Sequence, residues 1–432
     1  MPWRTGNRNK TNCYSNLYVV EPINKLKILN DPIYGFITIP DSIIYDLVEH
    51  PYFQRLRRIS QMGLSYLVYP GAHHTRFHHA LGSMHMMQKA IQVIRFKGTV
   101  ISKEEEKALY IAILLHDIGH GPFSHAMEHS IVEDVNHEAI SLLFMNELNK
   151  EFDGQLNLAI KIFKGAYHRK FMLQLVSSQL DMDRMDYLKR DSFYSGVAEG
   201  NINSDRLIQM MTVVEDTLVM EEKGIYSVEK FLMARRLMYW QVYFHKTSLV
   251  AEVILTKILK RAKEVTQKGI TLNASTSLLF FMNNKIDLEN FDTITLGQFA
   301  QLDDYDIMGA LKSWQYHNDY VLSTLSRMIL NRDLLKIRIS EIKYTPEDTE
   351  AYISQLSKLE NISLHEASYF VLKGKIKNQA YDRNAEPIRI LKKDRSIQDV
   401  VSASDQLNLK ALTKPVTKYY ICFPKVLLKT SN

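Results

Sequence analysis

His116 and Asp117 close a run of eight apolar or small residues, Ala108 to Leu115, and this is an unusual end for a core element. Ionisable groups at a buried helix end are costly unless they are paired or hold a metal. Imidazole nitrogen and carboxylate oxygen together suit a divalent ion such as Fe, Mn, Zn or Ni. His120 and His125 follow at once, interleaved with Ile, Gly, Pro and Phe. Histidine is the side chain best placed to move protons near neutral pH. Ten of the 15 histidines lie between His73 and His137. His73, His74 and His78 read equally well as a solvated loop, a poor account of His116, His120 and His125.

Two adjacent ligands do not complete a coordination sphere, so further groups must come from other elements. Arg76 to Gly82 offers a histidine at the start of a helix, and Leu180 to Tyr187 offers carboxylates on another. Asp183 and Tyr187 are four apart and share a helix face, whereas Asp186 and Arg190, also four apart, read as a surface ion pair. Arg235, Tyr239 and Tyr243 recur at helical spacing. That face is either a phosphate-and-base surface, since aromatic rings stack on any nucleobase, or an aromatic core stripe.

The elements that must position these groups are mostly helices. Apolar periodicity places helices from Pro51 through Ile59, over Leu81–Phe96, Lys103–Leu115, His137–Leu148 and Phe171–Lys189, and across 303–330. Gly119, Gly121 and Pro122 break the chain after the His-Asp pair. A hairpin is expected at Met211–Tyr226 around Glu215-Asp216. The stretch Ser227–Lys268, without Gly or Pro, reads as one long helix or two in tandem. After about Ser340 the texture changes to a helix at Pro346–Leu359, a strand at Pro387–Leu391, a helix at Ser404–Leu412 and a strand at Val416–Phe423. The fold class is therefore mainly α. The expected division is a flexible arm at 1–24, a helical catalytic domain at 25–345 and a smaller α+β region at 346–432.

Bulk composition narrows the function classes. With 46% hydrophobic and 24% charged residues, 432 residues are enough for a large core. A net charge of +6 favours anionic ligands such as nucleotides and is too small to indicate nucleic-acid binding. Two cysteines, Cys13 and Cys422, imply no disulfide framework and fit a reducing cytoplasm. No run approaches the ~18 apolar residues of a membrane span, and the start has no apolar signal core.

The motifs together resemble a known family. His79, then His116-Asp117, then Asp183 follow the H…HD…D order of the HD-domain metal-dependent phosphohydrolases. Gln-Arg-Leu-Arg at 54–57, Pro-Gly-Ala-His-His-Thr-Arg-Phe-His-His-Ala-Leu-Gly at 70–82, His-Asp-Ile-Gly-His-Gly-Pro-Phe-Ser-His at 116–125 and Asp-Met-Asp-Arg-Met-Asp-Tyr at 181–187 are similar to the deoxynucleoside triphosphate (dNTP) triphosphohydrolases within it. The likeness runs over about residues 25–345.

The resemblance implies a helical HD core and a divalent metal (Mn, Fe, Mg, Zn or Ni) held by His79, His116, Asp117 and Asp183. It implies hydrolysis of a dNTP to a deoxynucleoside and inorganic triphosphate by water attack on the α-phosphorus. His120, His125 and His137 match the catalytic-pocket histidines, with Glu128 and Glu138 as acidic neighbours. His125 is the expected general acid, oriented by Glu128, and His120 the expected contact to the α-phosphate. Arg76, Arg184 and Arg235 match phosphate- and substrate-contacting positions, Tyr187, Asp191 and Tyr243 match substrate-side positions, and Tyr239 stands where vertebrate members carry a histidine. Gln61 and Met62 match the residues that pack on the deoxyribose. Lys27, Asn30, Gln54, Arg57, His245 and Lys246 match parts of a regulatory nucleotide site; Gln54 and Arg57 also read as a polar helix face. Glu49 and Phe36 depart from the guanine-selecting pattern of vertebrate members, so a GTP-specific activating site is not expected, and a dNTP or a different activator is. A homo-oligomer, dimer or tetramer, is the expected assembly. The competing readings are an HD phosphohydrolase for another nucleotide, such as a nucleoside monophosphate or cyclic dinucleotide, and a non-catalytic nucleotide-sensing scaffold.

Overall fold

Thr75 begins the helix that anchors the molecule, because His78 Nδ1 accepts the Thr75 N–H at 3.2 Å in the first turn. The computed structural model describes residues 27–428, apart from residues 124, 129, 131, 133, 134, 384, 406 and 407 and the side chains of His125, Glu128 and Asn408. The expected arm at 1–24, Cys13 included, lies outside the described residues.

The hairpin β1 (Lys27–Asp31) and β2 (Gly35–Ile39) opens the fold, with Gly35 at a φ of +74° in its turn. Helix α1 (Ser42–Glu49) follows, capped by Asp41. Pro51–Gln54 is α-helical, but Arg55–Arg58 tightens to a 3-10 turn and Ile59 is extended, so the helix expected through Ile59 ends early. The cause is the fully buried Arg55, whose guanidinium donates to Leu302 O (3.2 Å) and Ile118 O (2.8 Å). Helix α2 (Arg76–Phe96) starts earlier than its apolar periodicity suggests and so carries His79. Helix α3 (Lys103–Leu115) starts at a reciprocal Ser102/Glu105 cap and has Ala108 to Leu115 wholly buried before His116. Helix α4 (His137–Glu151) is capped by Asn136.

The helix expected over Phe171–Lys189 is two elements, Lys170–Val176 and α5 (Met182–Ser195). Ser177 is extended, and Asp181 accepts from Ser178 N and Arg184 N, both at 2.7 Å, which starts a new helix. Gly196, left-handed at φ +73°, ends it. The hairpin β3 (Met211–Val214) and β4 (Thr217–Glu221) turns at Glu215 and Asp216, as expected. Helix α6 (Ile225–Met238) then runs into a π-helical turn at Tyr239–Tyr243, and His245 caps a new helix, α7 (Lys246–Gln267). The tandem reading thus holds, with a wide turn at the junction. Likewise 303–330 is two helices, α8 (Asp304–Trp314) and α9 (Tyr320–Leu330), each started by an aspartate cap.

Strand β5 (Lys336–Ser340) and helix α10 (Pro346–Glu360) lead to β6 (Leu372–Asn378), β7 (Arg389–Leu391), β8 (Ile397–Asp399) and β9 (Val416–Phe423). Helix expected at Ser404–Leu412 is confined to Asn408–Leu412, since Ser404 is extended after Val400–Ala403. These strands are knitted into the helical core. β7 pairs parallel to β4, giving the order β3-β4-β7-β8, and β9 lies between β5 and β6. Cys422 on β9 is fully buried with its thiol free. The core is helical, and α2 packs against both α3 and α5, which brings three distant motifs to one place. Among the described residues no helix is long and apolar enough to cross a membrane.

Candidate metal centre and substrate cavity

Close packing of α2 on α5 depends on Gly82, where a Cβ would stand 2.0 Å from Asp186 Oδ1 and 2.2 Å from Arg190 Nη2. That approach sets His79, one turn from the start of α2, against Asp183 and Asp186 on α5. His116 and Asp117 join them from the end of α3. His79 Nε2 lies 3.0 Å from Asp183 Oδ1 and 3.8 Å from Asp117 Oδ2, and His116 Nε2 lies 3.4 Å from both Asp183 Oδ1 and Asp117 Oδ1. His79, His116 and Asp183 bring ligand atoms within 4.8 Å of one another, and so do Asp117, His120 and His137.

The tautomers suit a metal. His79 Nδ1 donates to Asp186 Oδ2 at 2.8 Å and His116 Nδ1 donates to Ile113 O at 2.6 Å. Each ring therefore turns its Nε2 toward Asp117 and Asp183, where a metal could take the place of a proton. Both Nε2 atoms are buried, and their nearest polar neighbours are the carboxylates of Asp183 and Asp117. Burial works against a proton on His79, but Asp183 and Asp186 overcome it and hold the pKa up at about 10. Burial likewise opposes the raised pKa of His116, which Asp117 and Asp183 sustain. Burial favours the neutral forms of Asp117 and Asp183, yet the surrounding histidines, and Arg76 for Asp117, hold both carboxyls far below the usual range. Two imidazoles that take up protons beside two ionised carboxylates form a donor set that a divalent cation fits, with metal exchanging for protons.

Arg76 Nη1 donates to Asp117 Oδ2 at 2.5 Å, so its charge sits at the edge of the cluster. His120 Nε2 approaches Asp117 Oδ1 at 3.3 Å, and its ring stacks on His137 with centroids 3.9 Å apart. Burial, then Arg76, pushes the His120 pKa down to about 3, so this ring is neutral at physiological pH.

A cavity of about 690 Å³ opens beside this cluster, with Arg76, Gln61, Met62, Tyr187, Asp191 and Tyr243 in its wall. The π turn places Tyr239 and Tyr243 there together, their rings 5.1 Å apart and edge-on; such turns recur at functional sites. Tyr243 donates to Asp191 Oδ2 at 2.8 Å, and His74 Nε2 lies 2.7 Å from the other oxygen. Gln61 Oε1 and Arg235 Nε and Nη1 are buried without partners. Arg184 donates Nε to Ser178 O at 2.5 Å and points Nη1 toward Tyr187.

Comparison with known proteins matches this arrangement. The HD domain description fits residues 76–191, and the HD associated region fits 202–285. A Bacillus subtilis protein, YwfO, is 33% identical over 94% of each chain. The crystal structure of a phosphohydrolase from Bacteroides thetaiotaomicron is 51% identical, covers 93% of this chain and all of that one, and superposes with a TM-score of 0.90. The chain belongs to the HD-domain phosphohydrolase family. The Dictyostelium discoideum homologue of the deoxynucleoside triphosphate triphosphohydrolase SAMHD1 is 31% identical, but the match spans 59% of this chain and 54% of that protein.

Within this HD phosphohydrolase the four metal-ligand residues expected from sequence converge, with His120, His137 and Arg76 around them. His125 and Glu128 form a helical turn whose side chains lie outside the described residues. Glu138 is exposed in the first turn of α4. The residues expected for a regulatory nucleotide site are spread over four elements. Lys27 and Asn30 are exposed on β1, and Lys27 lies over the Tyr45 ring. Gln54 and Arg57 bond each other at 2.8 Å, with Arg57 over Phe77. His245 caps α7 by accepting the Thr247 N–H at 3.2 Å, and Lys246 is the first residue of that helix.

Two readings need correction. Asp186 and Arg190 are not a surface pair but fully buried, because Asp186 follows Met182 and Met185 on the inward face of α5. His74 is no solvated loop residue; it is 1% exposed, bonded to Asp191 and stacked on Tyr194. The sequence signal for the first was present: that acid shares its helix face with apolar methionines. His74 carries no comparable signal, since its partner is 117 residues away.

Proposed function

We propose that this HD phosphohydrolase cleaves dNTPs to a deoxynucleoside and inorganic triphosphate. The observation that carries the reading is the pair of buried, unpartnered Nε2 atoms of His79 and His116 facing two ionised aspartates, next to a cavity lined by Arg76. His79, His116, Asp117 and Asp183 would hold the metal, whose chemistry when bound is to polarise a phosphoryl oxygen and acidify water.

The chain's own residues supply the rest. Arg76, Arg184 and Arg235 provide positive charge for the phosphates, and the unpartnered guanidinium atoms of Arg235 await an acceptor. His120, held neutral against His137, faces the α-phosphate without adding charge. Tyr187, Tyr239 and Tyr243 form an aromatic wall fixed through Asp191, and Gln61 and Met62 pack on the deoxyribose. Water oxygen bonds to the α-phosphorus, losing a proton to solvent, as the bond from that phosphorus to O5′ breaks. The departing O5′ takes a proton from His125, oriented by Glu128. Family membership supports nucleotide hydrolysis, and the likeness to the Dictyostelium triphosphohydrolase supports a dNTP as the nucleotide. We extend the reading to a nucleotide activator at Lys27, Asn30, Gln54, Arg57, His245 and Lys246, within a homo-oligomer.

Purified protein with Mn²⁺ or Mg²⁺ and mixed dNTPs is expected to release inorganic triphosphate, and Asp117→Ala to lower that rate by about three orders of magnitude. Release of pyrophosphate or orthophosphate, or full activity of Asp117→Ala, contradicts the reading.

A further inference from the structure

The metal ligand His79 is backed by a line of buried charge that ends on the N-terminal hairpin. Its Nδ1 donates to Asp186 Oδ2 at 2.8 Å. Arg190 grips the same carboxylate twice, Nε to Oδ2 at 2.9 Å and Nη2 to Oδ1 at 3.0 Å. The third guanidinium nitrogen, Nη1, donates to Asp31 Oδ2 at 2.8 Å. His79, Asp186 and Arg190 are wholly buried and Asp31 is 7% exposed. Asp31 is itself fixed, because its other oxygen accepts the backbone N–H of Ile33 (2.9 Å) and Tyr34 (3.0 Å). The Tyr34 ring covers the Arg190 guanidinium, with 5.5 Å between guanidinium carbon and ring centre.

The order of charges gives this line a purpose beyond holding α5 to the hairpin. A carboxylate behind a ligating histidine fixes the ring's tautomer and raises its basicity toward the metal. Asp186 alone would do so, but a bidentate arginine withdraws much of its charge. A second carboxylate on the far side of Arg190 divides the guanidinium between two acids. The line Asp186–Arg190–Asp31 then carries one net negative charge, and Asp186 keeps its strength as an acceptor for His79 Nδ1–H. We infer that Asp31 is a positioning residue for the metal site, acting on His79 through Arg190 and Asp186. This rests on the assignment of His79 as a metal ligand.

Mn²⁺ affinity, measured by titration calorimetry on the full chain, tests the inference together with the unfolding midpoint of the metal-free protein. Asp31→Asn keeps an acceptor for the turn and removes the charge; it is expected to weaken Mn²⁺ binding by about tenfold while the protein stays folded. Asp31→Ser, which also keeps a turn acceptor, is the second variant and is expected to behave alike. Asp319→Asn, at the Arg261–Asp319 pair outside the cluster (3.1 and 2.6 Å), is the structural control, expected to lower the midpoint and leave Mn²⁺ affinity unchanged. Folded Asp31 variants that bind Mn²⁺ as the parent does would overturn the inference, as would failure of both to fold, which would make Asp31 purely structural. A parent protein that binds no Mn²⁺, or a His79→Ala variant that binds it equally well, would instead remove the metal assignment on which the inference stands.

Discussion

The two sides of His79 are built on opposite terms. Behind it, Asp186, Arg190 and Asp31 are joined by short hydrogen bonds with both carboxylates and the guanidinium engaged. In front, His79 Nε2, His116 Nε2, His120 Nδ1 and Gln61 Oε1 are buried with no partner, and so are two nitrogens of Arg235, whose charge acts on Tyr187 of the cavity wall. Buried polar atoms are normally satisfied, and a cluster of unsatisfied ones beside a cavity is where a ligand would supply the missing partners. Folding satisfies the charged groups of the rear wall, whereas those of the front are left for a ligand. The contrast also separates two kinds of mutational outcome, because groups oriented for a ligand are held at some expense of stability.

Breaking the rear wall is expected to have the largest effect on the fold. Gly82→Ala drives a methyl into Asp186 and Arg190, with contacts near 2 Å that force the pair to move. Overpacking of this kind costs about 3 kcal/mol, read as a lower denaturant midpoint, and Mn²⁺ binding falls with it. A midpoint equal to the parent's would mean that the rear wall is not the rigid support described.

Breaking the front wall should reverse that pattern. Arg235→Ala removes a buried, unsatisfied guanidinium, so the midpoint holds or rises, while kcat/KM for a dNTP falls by about tenfold or more, since hydrogen bonds to charged groups are worth about 1.5–3 kcal/mol. A loss of stability with unchanged kinetics would place Arg235 on the structural side of the comparison. The smallest effect is expected for Tyr243→Phe, which deletes only the 2.8 Å bond to Asp191. At about 1 kcal/mol, kcat/KM drops roughly fivefold, and dNTP kinetics beside a melting curve show whether the loss falls on substrate or on fold.

Much of the front wall was legible in the sequence, and much of the rear wall was not. His116 and Asp117 stand out because they end an apolar helix, and His79 and Asp183 follow from the order of the motif. Helix limits were less accessible. Asp181 starts a helix with both its oxygens, and the π turn at Tyr239–Tyr243 leaves no break in apolar texture. Arg55 cuts a helix short through carbonyls at Leu302 and Ile118, which no local pattern announces. The same limit hides the rear wall: Asp31 and Arg190 are 159 residues apart, and each alone looks like an ordinary surface charge. The C-terminal strands read as a separate texture, yet β7 extends the hairpin β3-β4, a pairing fixed only in three dimensions.

Water is proposed to attack the α-phosphorus at the front of His79 and His116. Hydrolysis of a dNTP in ¹⁸O-water, with the products separated and weighed by mass spectrometry, tests it most directly. One ¹⁸O atom is expected in the inorganic triphosphate and none in the deoxynucleoside. Label in the 5′-hydroxyl of the deoxynucleoside, or in a released pyrophosphate or orthophosphate, would contradict it.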